Sequence, residues 1–248
     1  MSVTSFFAQI DGPVPKDASS TWNRSALVRR AVTISRQAGC GAQEIAGKLA
    51  ARLQAHVPRT GCPWSIFDRK AVEKLQTDPR FPKYLAAWLP AERKAAMAGL
   101  LEPVFGANPD PAPLVRQTAE AMLALAEVGN VILIGRGGNV VTARVPHVLH
   151  VRLVAPLVQR LRRAHEIYGM TPLEAREFCL SEDLGRDRHV KEQFNAEIND
   201  PLRYHLVINT GLVSFDAAAT AIEESLMSLG ALPKSEETYY FEKQKTAF

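Results

Sequence analysis

The stretch Ala31-Val-Thr-Ile-Ser-Arg-Gln-Ala-Gly-Cys-Gly-Ala-Gln-Glu-Ile-Ala-Gly-Lys-Leu-Ala50 decides the fold of this chain. Its first residues, Ala31 to Ser35, form an apolar run that predicts a buried strand. A glycine turn follows, and then a helical pattern that places Ile45, Leu49 and Leu53 on one face. This order is typical of a phosphate-binding loop, because the N–H groups of the turn and the helix N-terminus attract an anion.

The residues that complete a Walker A motif, G-x-x-x-x-G-K-[ST], are missing from this loop. With Gly41 as the last glycine, Ala42 stands in the lysine position and Gln43 in the hydroxyl position. The loop is therefore expected to bind phosphate mainly through backbone N–H groups, and a tight turn without a ligand is the alternative. The candidate nucleotide-binding residues are Ser35, Gly39, Cys40, Gly41, Ala42, Gln43 and Glu44.

The chain has 248 residues, and its composition is typical of a globular protein. Its formal charge is +4 and its pI is near 9.0. This charge fits an anionic ligand or a solvated basic surface, and the absence of a lysine run argues against nucleic acid. Cys40, Cys62 and Cys179 form no C-x-x-C pair, so no zinc site or disulfide framework is indicated. We expect no signal peptide, no membrane span and a cytoplasmic location.

Strands alternate with helices along the chain, which predicts an α/β fold with a doubly wound parallel sheet. We expect one domain over residues 29–229, a poorly ordered arm over 1–28 and a peripheral tail over 230–248. The pattern of residues 69–113 predicts a helical insert. Strands are predicted at 31–35, 64–67, 131–134, 148–154 and 206–208, and helices over 114–127, from 156 to 165, from 171 to at least 178, and over 216–229.

Chemistry-bearing residues follow several of the predicted strands, where ligands of such sheets bind. Asp68, Arg69 and Lys70 come after the second strand, and Arg136 follows the third within Gly135-Arg-Gly-Gly138. A guanidinium group binds phosphate through two parallel hydrogen bonds, which favours a ligand role for Arg136. An ion pair with a neighbouring carboxylate is the alternative.

The segment Glu182-Asp-Leu-Gly-Arg-Asp-Arg-His-Val-Lys191 is a second candidate site. It places Arg186 and Arg188 near Asp183, and it would close over a polyphosphate as a lid. A solvated helix with i, i+3 and i+4 ion pairs is an equally good interpretation.

Arg160, Arg162 and Arg163 form another basic stripe, for which a solvated helix face is the favoured interpretation. The histidines lack H-x-x-x-H spacing, so no metal-binding cluster is predicted.

Four ordered motifs resemble the cytidylate kinase-like family, a branch of the P-loop nucleoside monophosphate kinases. The resemblance implies a five-stranded parallel core of the P-loop NTPase type, a monophosphate-binding insert at 69–113 and a mobile lid at 181–195. Gly137 replaces the aspartate of the G-R-D motif found in cytidylate kinases. The motifs are Ile34–Ala46, Ile134-Gly-Arg-Gly-Gly-Asn-Val140, His150-Val-Arg-Leu-Val-Ala-Pro156 and Asp200-Pro-Leu-Arg-Tyr-His-Leu-Val-Ile-Asn-Thr210.

The resemblance implies a nucleotide kinase that transfers the γ-phosphoryl group of ATP, with Mg²⁺, to a nucleoside monophosphate, with CMP as the first candidate. A nucleotide-binding module that has lost catalysis is the main alternative, and a scaffold with an empty loop is a third. The acceptor, the pathway and the oligomeric state stay open. The catalytic candidates are Arg36, Arg136, Arg186 and Arg188, and the acceptor-binding candidates are Asp68, Arg69, Arg136 and Asp183.

Overall fold

A five-stranded parallel sheet organises the chain in its computed structural model, which describes residues 30–57, 63–79, 91–105, 112–135 and 137–229. The strands are β1 (Ala31–Arg36), β2 (Ser65–Asp68), β3 (Val131–Ile134), β4 (Val148–Val154) and β5 (Leu206–Asn209). Their order in the sheet is β2-β3-β1-β4-β5, so that β1 lies at the centre between β3 and β4. This confirms the predicted α/β class and the parallel sheet.

Helices cover both faces of the sheet, which explains why the central strands are almost wholly apolar. The helices are α1 (Ala42–Ala55), α2 (Arg69–Thr77), α3 (Ala91–Phe105), α4 (Pro113–Val128), α5 (Gly138–Val141), α6 (Leu157–Tyr168), α7 (Pro172–Phe194) and α8 (Phe215–Ser228), with a 3₁₀ turn at Pro201–Arg203. On one face of the sheet, Val32 and Ile34 pack with residues of α1 and α8. On the other, Ala31 and Leu133 pack with residues of α2, α3, α4, α5 and α7.

Element boundaries agree closely with the sequence pattern in the apolar strands. The predicted ranges of β3 and β4 are confirmed, while β2 begins and ends one residue later than expected. Gly129 ends α4 as predicted, with a φ of 84° and its N–H donated to the Leu125 carbonyl. The expected arm at 1–28 and the tail at 230–248 lie outside the described residues, as do residues 80–90 of the expected helical insert.

Helix α7 is longer than the sequence pattern indicated. It begins as predicted, with Thr171 as N-cap and Glu174 completing a capping box. It then continues for 23 residues to Phe194 and ends at Asn195, whose φ is 47°. The segment at 181–195, expected to be a lid, is therefore the second half of this helix. Among the described residues, no helix is both long and apolar enough to cross a membrane.

A pair of histidines, the buried His150 and the more exposed His205, lies between β1, β4 and β5. The Nδ1 atom of His150 is 2.8 Å from the Thr33 hydroxyl, and the His150 backbone N–H donates to Nδ1 of His205 at 2.9 Å. His150 is 5% exposed, and its burial lowers its pKa from 6.5 to about 3, with His205 adding to the effect. Burial also lowers the pKa of His205. Both rings are therefore neutral in the folded chain at neutral pH.

We expect this pair to make folding acid-sensitive. Below a pH of 6.5 the unfolded chain binds protons that the folded chain cannot, so stability falls as the pH drops from about 6.5 towards about 3. The slope should approach ~1.4 kcal/mol per pH unit for His150 alone. Urea denaturation between about pH 7 and about pH 5 measures it.

The His150→Asn variant should show a shallower slope, because it removes the titrating ring and keeps a polar group beside Thr33. His165→Gln is the matched control, since His165 is exposed on α6. Equal slopes for wild type and His150→Asn would contradict the assignment of the acid sensitivity to His150.

Candidate phosphate-binding site

The loop between β1 and α1 has the backbone shape of an anion-binding nest. Gly39 and Gly41 adopt φ values of 76° and 77°, in the left-handed region. Gly41 is also the N-cap of α1, and its carbonyl accepts the N–H of Ile45 at 3.0 Å. Such alternating conformations turn successive N–H groups towards one side of the chain.

A run of N–H groups in this loop has no acceptor among the residues that the structure describes. Gln37 donates to the Leu153 carbonyl, and Ala38 donates to the Asp183 carboxylate. Within the part of the chain that the structure describes, the next six N–H groups, from Gly39 to Glu44, donate to no protein atom. These include the first-turn groups of α1, which a helix leaves unpaired. The run can therefore donate to an anion with several oxygens.

Both loop glycines are required by packing as well as by φ. A Cβ atom on Gly39 would lie 2.6 Å from the Arg160 carbonyl oxygen. A Cβ atom on Gly41 would overlap the ring of Phe215, at the start of α8. Each side chain added here would therefore displace a neighbouring element.

Gly41→Ala should destabilise the fold by about 1–3 kcal/mol, because it combines a strained φ with overlap on Phe215. Gly47→Ala on α1 is the matched control, since its Cβ atom would meet nothing within 4 Å. The control should gain up to ~1 kcal/mol from helix propensity. Urea denaturation compares the two variants, and an unchanged midpoint for Gly41→Ala would contradict the packing described.

Asp183 and Arg186, both on α7, are connected to this loop. The Asp183 carboxylate accepts the Ala38 N–H at 2.7 Å and a hydrogen bond from Arg160 at 2.5 Å. Arg186 is 8% exposed and donates to Asp183 at 3.2 Å and to Glu182 at 2.7 Å. Arg188 is exposed on the same helix. In this conformation Arg186 therefore forms ion pairs within its own helix, as the ion-pair interpretation of this segment expects. Helix α7 contacts the loop through Asp183.

Arg152 is a buried cation that the sequence pattern did not predict as a site residue. It lies on β4 beside Ser35 of β1, 5% exposed, and donates to the Ser35 hydroxyl at 2.8 Å and the Asn199 side chain at 2.9 Å. Burial lowers the pKa of its guanidinium group. An arginine within the apolar run 148–154 was the available signal. Its charge adds to the positive potential near the loop.

The basic stripe on α6 is only partly solvated. Arg162 is exposed and pairs with Glu166, as expected for a solvated face. Arg160 and Arg163 instead contact the loop, Arg160 through the Ala38 carbonyl and Arg163 through the Gly39 carbonyl. The solvated-face prediction was therefore wrong for these two residues, because the i, i+3 spacing turns them towards the β1–α1 loop.

Cys40 is a structural loop residue. Its side chain is 1% exposed, and burial raises the pKa of its thiol to about 11. The thiol is therefore protonated at neutral pH and is not a reactive nucleophile. Cys40 contributes to the site through its backbone.

The acceptor-binding candidates lie at the end of β2. Asp68 caps α2 by accepting the Ala71 N–H at 2.8 Å, and it accepts a hydrogen bond from the Gln43 side chain at 3.3 Å. It thereby joins β2 to the first turn of α1. Arg69 is exposed and pairs with Glu73. Arg136 lies outside the described residues, between Gly135 and Gly137.

A cavity of about 110 Å³ lies between α2, α4, α5 and α7. Its wall includes Phe194, whose ring fills the space that a Cβ atom on Gly137 would need. With a φ of 76°, Gly137 therefore leaves no room for the aspartate of the G-R-D motif. The lining residues are Arg69, Glu73, Leu114, Val115, Thr118, Ala119, Met122, Val141, His189 and Phe194.

Comparison with known proteins assigns the chain to a family. The model of the cytidylate kinase-like family matches residues 31–212, which include the loop, the buried arginines and α7. The chain belongs to the cytidylate kinase-like family. Membership in this family supports a kinase-like activity on a nucleotide or another small molecule.

A solved structure with a similar fold has low sequence identity to this chain. An uncharacterised protein from Eubacterium ventriosum is 16% identical with a TM-score of 0.54, covering 81% of this chain and 99% of its own. Shikimate kinase from Bacteroides thetaiotaomicron is 14% identical with a TM-score of 0.40, covering 82% and 99%.

One curated protein matches a segment of the chain. A uronate isomerase from Corynebacterium glutamicum is 32% identical over 114 residues, which is 45% of this chain and 21% of the isomerase. The chain therefore matches about a fifth of that relative's length.

Proposed function

We propose that this protein is a nucleotide kinase that transfers the γ-phosphoryl group of ATP to a nucleoside monophosphate, with CMP as the first acceptor to test. The supporting observation is the run of six N–H groups from Gly39 to Glu44, which have no acceptor among the described residues and lie beside the guanidinium groups of α6. Phosphoryl transfer needs positioning and charge stabilisation more than covalent chemistry, and this loop supplies both.

In this proposal the N–H groups from Gly39 to Glu44 hold the donor phosphates, with Ser35 and Arg36 at the end of β1. An oxygen of the acceptor phosphate attacks the γ-phosphorus and forms the new P–O bond. The bond from the γ-phosphorus to the bridging oxygen breaks, and ADP leaves with the electron pair. Asp68, Arg69 and Arg136 bind the acceptor, and Arg186 and Arg188 of α7 contribute positive charge that stabilises the transferring group.

Mg²⁺ is expected to enter bound to the donor phosphates. Among the described residues, no three histidine, cysteine or acidic side chains converge as a metal site. Asp68 and Glu44 supply carboxylates at this edge, whereas Asp183 is engaged by Arg160, Arg186 and the Ala38 N–H. This arrangement fits Mg²⁺, which needs few protein ligands when phosphates coordinate it. The ion would neutralise charge on the transferring phosphates.

A catalytically inactive nucleotide-binding module is the second candidate. Ala42 is 8% exposed and packs in the apolar cluster under α1, so the position of the Walker lysine belongs to the core. ADP release measured across a panel of monophosphates, together with calorimetric ATP binding with and without Mg²⁺, separates the two functions. Turnover supports the kinase, and binding without turnover supports the module. The absence of both binding and turnover would overturn both functions.

Arg136→Ala tests the acceptor side. Loss of one preorganised donor to a phosphate should lower turnover roughly 30- to 1,000-fold, with little change in melting temperature. Arg136→Lys should recover only part of the rate, because an ammonium group cannot form the paired hydrogen bonds. Arg144→Ala, which removes an exposed arginine after α5, is the control and should keep full turnover. Unfolding of Arg136→Ala would assign the residue a structural role instead.

A further inference from the structure

Three consecutive carbonyl groups of the loop accept hydrogen bonds from side chains outside it. The Ala38 carbonyl accepts from Arg160 at 3.2 Å, and the Gly39 carbonyl accepts from Arg163 at 3.4 Å. The Cys40 carbonyl accepts from the Thr210 hydroxyl at 3.1 Å. The two arginines lie on α6, and Thr210 directly follows β5, so these donors all belong to the body of the fold.

These contacts fix the direction of the loop N–H groups. A trans peptide unit is planar, and its C=O and N–H point in opposite directions. The carbonyls of Ala38, Gly39 and Cys40 belong to the same peptide units as the N–H groups of the next residue in each case. Holding the carbonyls against α6 and Thr210 therefore turns the N–H groups of Gly39, Cys40 and Gly41 to the opposite side. These three N–H groups are among those with no protein acceptor in the described residues.

Arg163 is itself held firmly in place. Its two terminal nitrogens donate to the Thr210 hydroxyl at 3.0 Å and the Thr210 carbonyl at 2.6 Å. Its guanidinium group also lies 4.8 Å from the ring centre of Phe215, the residue that packs against Gly41. Two positive charges, Arg160 and Arg163, thus lie behind the loop. Within the described ranges, Arg160 contacts the carboxylate of Asp183, and Arg163 contacts no carboxylate.

We propose that Arg160, Arg163 and Thr210 are positioning residues that replace the Walker lysine: they aim the loop N–H groups at the terminal phosphates of a nucleoside triphosphate and place positive charge behind them. This inference rests on the proposed nucleotide binding, and it explains how the loop functions with Ala42 in the lysine position. The effect acts through oriented peptide dipoles and through charge at short range, so it grows with the number of phosphates on the ligand.

The test compares Arg163→Gln with Arg162→Gln in the full-length chain. Both variants remove one positive charge from α6, but Arg162 is 80% exposed and pairs with Glu166. Calorimetry measures the affinities for adenosine, ADP and ATP at fixed ionic strength. Arg163→Gln should weaken ATP binding about tenfold or more and ADP binding less, with adenosine unchanged. Arg162→Gln should match wild type. Arg163→Lys should be intermediate, because it keeps the charge and loses the two-point contact with Thr210.

If the Arg163→Gln protein folds, either of two results would overturn this inference and leave the proposed function intact. One is a set of affinities equal to those of Arg162→Gln. The other is an equal loss of affinity for adenosine and ATP, which would indicate a general structural role. Wild-type protein that binds neither ADP nor ATP would overturn the proposed function and this inference together. If Arg163→Gln does not fold, Thr210→Val removes the Cys40 contact at nearly constant volume. It should weaken ATP binding several-fold while leaving adenosine unchanged, and any other pattern would count against the inference.

Discussion

The ion pair between Arg160 and Asp183 connects the parts of the molecule on which the site depends. Arg160 contributes from α6 and Asp183 from α7, and both contact Ala38 in the loop after β1. The side chains are 7% and 24% exposed, so removing either partner would leave the other charge poorly solvated. The pair also brings a carboxylate to one loop N–H and leaves the following N–H groups to other acceptors. Its main consequence is therefore a defined loop geometry.

In the proposed phosphate site, the charge that most phosphate loops obtain from one flexible lysine would come from rigid arginines. Arg152, Arg160 and Arg186 are each less than a tenth exposed, and each is hydrogen-bonded in place. Buried guanidinium groups cannot follow a phosphate as it moves, but they need no reorganisation when it arrives. Such a site is preorganised for its ligand, but it adapts less to a moving phosphate than a site with a flexible lysine.

The sequence predicted the sheet well because its strands are short apolar runs bounded by polar residues, as at 131–134 and 148–154. It also located the loop, since Gly39 and Gly41 follow a buried strand. It did not predict which arginines contact the loop. Arg160, Arg162 and Arg163 share one helix, and only the placement of α6 against the loop distinguishes them. The extent of α7 was underestimated because its polar residues show no amphipathic period, so its inward residues are recognised only from their tertiary partners.

Helix α7 has a mechanical consequence. Asp183, near its middle, contacts the loop, while Phe194, at its C-terminal end, forms a wall of the cavity beside Gly137. These residues lie ~16 Å apart along one uninterrupted helix. Because one continuous helix carries both residues, a rigid-body displacement of α7 that releases Asp183 from Ala38 would also shift the Phe194 wall of the cavity.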